Sequence, residues 1–125
     1  MNAARRYVVT QSQTASRERL LVMLLHAAQR NLRAAATALE SGPHGVAAPA
    51  LERSSAIIQE LLSTLDHRTA PELSAGLAAV YEFILQRITL AMASRNVCYV
   101  HEAERAFNPI AAGFEEAVEK LGSAG

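Results

Sequence analysis

Apolar residues recur three or four positions apart along most of the chain, in stretches separated by polar or turn-forming breaks. The first break is Gly42-Pro43-His44-Gly45, prolonged by Ala48-Pro49. The second is Asp66-His67-Arg68-Thr69, and the third lies at Asn96, before Val97. Between the breaks lie segments of roughly 20–27 residues, a length that suits helices and not strands. Only Tyr7-Val8-Val9-Thr10 has strand character, and one short strand has nothing to pair with.

The first helix is expected to start after Ser16, with Ser16 as N-cap and Glu18 in the first turn, where a carboxylate suits the helix dipole. Leu20, Leu24, Ala28, Ala35 and Leu39 then share one face, and Gly42 stops the helix. The second helix runs from about Val46–Pro49 to Leu65, with Leu51, Ile58, Leu61, Leu62 and Leu65 facing inward. Thr69-Ala70-Pro71-Glu72 has the form of a capping box with proline in the first turn. From there Leu73, Leu77, Val80, Tyr81, Ile84, Ile88, Ala91 and Met92 hold one arc to about Arg95.

In the last segment Val100, Ala103, Phe107, Ile110, Phe114, Ala117 and Leu121 keep one apolar phase across Pro109. At about 100° per residue, Pro109 falls opposite Phe107, toward solvent. A hydrogen bond lost there bends a helix around its core without breaking it. The pattern therefore predicts an all-α fold: an antiparallel four-helix bundle with an extended N-terminal tail and a Pro-kinked last helix. Residues 1–15 are expected to form a mobile tail, 16–121 the bundle and 122–125 a disordered C-terminus.

Composition narrows the reading. The chain has 125 residues, 12 basic and 12 acidic side chains, and hydrophobic residues at 50% of positions. That balance lacks the basic footprint of nucleic-acid binding. No run approaches the ~20 apolar residues of a membrane span, so no membrane insertion is expected. No apolar signal core follows Arg5-Arg6, and a lone Cys98 suits a reducing compartment, which together point to the cytoplasm. Alanine is the outlier, at 25 positions beside 15 leucines. It favours helices and lets them approach closely.

Candidate chemistry is sparse, so no enzyme activity, cofactor or metal is expected. His101-Glu102 lacks the second histidine of a zinc-protease helix, and no glutamate is followed three positions later by histidine, as di-iron bundles require. Cys98 and His101 supply two ligands where a structural zinc site needs four, and the simpler reading is a small buried thiol beside a surface histidine. His26 lies mid-helix outside the core arc, as in a phosphorelay bundle. Gln29 and Arg30, however, stand where the phosphotransfer pattern expects a lysine and a small residue.

What exceeds the needs of a core is apolar surface. Phe83 and Leu90, seven residues apart, form a line outside the third helix's arc, flanked by Gly76 and Ala79. Val46 and Ile57 make a similar line on the second helix. On the first, Val22 lies almost opposite the arc, with Met23 and Leu25 on its flanks. A bundle that buries wide faces accounts for any one of these, but several together suggest a surface for a partner peptide. Asn31 is the opposite anomaly, a polar group on the first helix's inward arc, and reads as a satisfied core amide.

The ordered landmarks resemble the FliS flagellin export chaperones over roughly Tyr7 to Leu121. These are Tyr7, Thr14-Ala15-Ser16, Leu20-Leu21-Val22-Met23-Leu24, Ile57-Ile58-Gln59-Glu60-Leu61, Leu65-Asp66, then Leu73, Leu77, Tyr81-Glu82-Phe83 and Ala91. The sequence departs from that pattern at Leu25-His26-Ala27, where the family usually carries Tyr-Asp-Gly. It also has Thr69-Ala70-Pro71 where glycines are common, and Phe114 near a frequent tryptophan.

The resemblance implies a cytoplasmic chaperone that binds the disordered C-terminal segment of flagellin, prevents premature polymerisation and assists type III export, with the export gate as a further partner. It implies Tyr7 as a tail latch. Ile57, Leu61, Leu77, Tyr81, Phe83, Ile84 and Leu90 become groove candidates, several of which also fit a core. Coupled folding of such a client would bury on the order of 1,000–3,000 Å² and lose roughly 2–5 kcal/mol to ordering. The alternative is a helical-bundle interaction module for another secreted or structural partner.

Overall fold

The computed structural model describes residues 16–124. The tail expected at 1–15, with Tyr7, lies outside them. Four helices follow in order: α1 Arg17–Ser41, α2 Ala47–Ser63, α3 Pro71–Ser94 and α4 Val97–Ala124, with a 3-10 turn at His44–Val46 before α2. Helices α1 and α3 each pack against both α2 and α4. Across the α1–α4 seam the partners run in opposite order. His26 Nε2 meets Glu115 at 3.1 Å, Gln29 donates to Asn108 at 3.0 Å, Arg33 pairs with Glu104 at 2.8 Å and His101 faces Glu40 at 3.5 Å. These two helices are therefore antiparallel, and the bundle is the expected one.

Capping chemistry explains most of the boundaries. Ser16 Oγ accepts the Arg19 N–H at 3.1 Å and opens α1 as expected. Gly42 closes α1 at φ +78°, ψ 171°, with its N–H on the Ala38 carbonyl at 2.8 Å. That backbone region is essentially reserved for glycine. At the α2–α3 turn the expected capping box is not formed. The Thr69 hydroxyl instead donates to Asp66 Oδ2 at 2.6 Å, and Ala70 precedes α3 with no side-chain cap. Asp66 also accepts the Arg68 and Thr69 N–H groups, and these bonds, the Thr69 hydroxyl first, hold its carboxyl below the usual 3.8. Arg95 ends α3 in the left-handed conformation, φ 59° and ψ 24°, with its N–H on the Ala91 carbonyl at 2.8 Å. The Asn96 side chain then accepts the Cys98 N–H at 2.9 Å and opens α4.

The core joins Leu25, Leu32, Leu51, Ile57, Ile58, Tyr81, Ile84, Ile88, Val100 and Phe107, all buried. Val22, Leu25 and Ile57 had been assigned to outward lines, but all three are buried. Helices with neighbours on two sides bury a wider arc than one stripe. Leu73 and Met92, expected inside, are 65% and 37% exposed. Each lies close to an end of α3, where the bundle gives less cover. α4 is one continuous helix with the exposed Pro109 inside it, as expected from the unbroken phase. Asn31 is half-buried and satisfied, donating to the Ala27 carbonyl and accepting from Arg53 Nε, both at 2.8 Å.

Two substitutions test the corners. Gly42→Ala is expected to lower unfolding free energy by about 1–3 kcal/mol in urea denaturation, because alanine resists that backbone region. Arg95→Gly is expected to raise it by about 1 kcal/mol, since glycine takes the left-handed conformation without the steric cost of a β-carbon.

Candidate functional site

Outward apolar surface concentrates on the seam between α3 and α4. Leu73 and Leu77 from the start of α3 face Pro109, Ile110, Gly113, Phe114 and Ala117 from α4 across an open groove of about 250 Å³. A methyl group added at Gly113 would meet nothing within 4 Å, so glycine here leaves the groove floor open. Leu121, one turn beyond Ala117, is 64% exposed.

Farther along the same seam, the Arg87 guanidinium lies 4.8 Å from the Phe83 ring centroid and 5.5 Å from that of Tyr99. Its Nη1 is 3.5 Å from Glu102, and its buried Nε has no hydrogen-bond partner. A planar cation held between two rings keeps both rings in place at the surface.

The composition of α3 explains why apolar surface remains there. It is the one described helix long and apolar enough, by length and composition, to cross a membrane, yet only 22% of its most apolar 18-residue stretch is buried. It carries Glu82 and Arg87 and packs on two neighbours as a bundle helix. A second hollow lies where α1 begins and α2 ends, lined by Leu21, Leu24, Leu61 and Thr64.

The structure separates the residues selected from sequence. Phe83 is 38% exposed and Leu90 half-buried, both outside the α3 core arc as expected. Leu77 lines the α3–α4 groove. Leu61 is buried but forms part of the wall of the α1–α2 hollow. Ile57, Tyr81 and Ile84 are buried in the core.

Sequence reasoning passed over Ile110 and Phe114 on the groove and Arg87 and Tyr99 farther along the seam. The pairing of Phe83 with Arg87 four positions on was its one available signal. Cys98, expected to be buried, is exposed beside the α4 cap, while His101 is engaged by Glu104 and Glu40. Among the described residues no three His, Cys, Asp or Glu side chains gather to hold a metal. His26 is tied to Glu115, Leu25 is a core residue and Ala27 packs against that core, so all three residues at the Leu25-His26-Ala27 departure serve the bundle.

The fold is an antiparallel four-helix bundle whose most apolar helix is only shallowly buried. The family model described as flagellar protein FliS matches residues 1–121, and the chain belongs to that family. It is a flagellar export chaperone, from a family of chaperones and not of enzymes. Comparison with curated proteins gives no match.

Tyr81 provides a pH test of this packing. Burial pushes its phenol above the usual 10. The neutral form is favoured in the folded state, so the contribution is intact below pH 10 and lost as pH rises through the folded value. Denaturation between pH 9 and about 12 is expected to show a flatter alkaline decline for Tyr81→Phe than for the native chain.

Proposed function

We propose that this protein is a flagellin chaperone, holding the client's disordered C-terminal segment in the cytoplasm until the type III export gate receives it. The observation that carries the reading is the shallow burial of α3, whose apolar surplus lies beside the groove shared with α4. A disordered segment gains order by laying an amphipathic helix into such a groove, with anchors at helical spacing. Binding through apolar contacts needs no nucleotide for release, and it keeps the client's polymerising surface covered. Leu73, Leu77, Phe83, Leu90, Ile110 and Phe114 are the contact residues in this scheme. Tyr7 and the first 15 residues act as the cover of that surface when it is empty. Ile57, Leu61, Tyr81 and Ile84 belong to the core that holds the helices carrying these contacts.

Calorimetric titration with the C-terminal peptide of the cognate flagellin tests the assignment. Heat release with a gain of helical circular dichroism is expected. No heat and no helix gain would sink it and favour another secreted client. Leu73→Ala and Phe83→Ala are each expected to weaken binding by about 1–2 kcal/mol, roughly 5–30-fold. Both side chains are already substantially exposed, so thermal melting should move little.

A further inference from the structure

At the end of the bundle where α1 stops and α3 terminates, away from the α3–α4 groove, lies a cavity of about 290 Å³. Leu39, Ala47, Leu51, Ala91 and Met92 form its apolar walls. The hollow opens to solvent, and its volume leaves room for an apolar side chain to enter from outside. The polar side chains on the lining are both nitrogenous, His44 and Arg95, and no carboxylate lines it. Glu40, next to Leu39 in sequence, is directed to His101 at 3.5 Å.

Arg95 is the unusual residue. It occupies the left-handed backbone conformation, which costs an L-residue energy and normally goes to glycine or asparagine. Arg95 and His44 are both exposed, and neither the guanidinium nor the ring is held by another described side chain. An exposed guanidinium at the mouth of an apolar hollow, free of any carboxylate in the bundle, is placed to meet an anionic group from outside. A guanidinium presents paired N–H donors that match a carboxylate, and apolar walls directly beneath it select an apolar group attached next to that carboxylate.

We propose that this cavity captures the free C-terminus of the client: the last apolar side chain enters the hollow, and the terminal carboxylate is held by Arg95 and an N–H of His44. This rests on the reading that the client segment is a C-terminal one, and adds an anchor that the α3–α4 groove does not supply.

Calorimetry on the full chain tests it, using the flagellin C-terminal peptide as free acid and as C-terminal amide. The acid is expected to bind about tenfold or more tightly than the amide. Arg95→Gly is expected to abolish that difference while melting at or above the native temperature, so that lost affinity cannot be ascribed to unfolding. His44→Ala is expected to reduce the difference in part. Equal binding of acid and amide to the native chain overturns the anchor and leaves the flagellin reading intact. No binding of either peptide overturns both. Arg95-dependent binding of dodecanoate with no acid-over-amide preference assigns the cavity to acyl carboxylates and overturns the peptide anchor.

Discussion

Close approach of α1 to its two neighbours sets the geometry of everything else. Ala28, Ala35, Ala36 and Ala38 are buried on α1, and Ala50, Ala103 and Ala111 meet the same core from α2 and α4. Side-chain size at the contact determines how near two helix axes can lie, so these alanines draw three helices together around Leu25, Leu32 and Phe107. A larger residue at any of them would overpack a filled interior. α3 contributes only Ala91 in this way and places Ala75, Ala79 and Ala93 outward. It therefore sits as the outer member, with apolar side chains to spare.

Polar pairs then fix what apolar packing leaves open. A stripe of alanines and leucines tolerates sliding by a turn, whereas the pairs His26–Glu115, Gln29–Asn108 and Arg33–Glu104 meet in only one register. Each is partly exposed and contributes little net energy, so their value is in specifying alignment. The α3–α4 seam is joined differently, by apolar packing and by one guanidinium that lies over two aromatic rings and beside Glu102. One seam fixes the register of the bundle, and the other carries its open apolar groove.

Much of this was legible in the residues themselves. Helix count, the Ser16 cap, the Gly42 stop, the continuity across Pro109 and the outward position of Phe83 all follow from local rules. Burial followed less well, because periodicity reports the phase of a face and not how many neighbours cover it. Val22, Leu25 and Ile57 were misassigned for that reason, and Leu73 for the converse one. The Thr69 cap failed because α3 begins at Pro71 with Ala70 in the capping position, one residue past Thr69, whose hydroxyl donates back to Asp66. The groove residues on α4 were invisible as such: Ile110 and Phe114 keep core phase, and their exposure depends on where α3 begins.

An outward seam along two parallel-lying rods has a mechanical consequence. A chain spread along it is attached by contacts in series, so tension on one end loads only the nearest contact. Such an attachment peels at low force, one grip after another, while resisting the same pull applied evenly along its length. A bundle whose own lock lies on the neighbouring seam, between α1 and α4, would stay closed as such a chain unzips. On the proposed reading, the seam would hold a client firmly at rest and yield to a pull on the client's end.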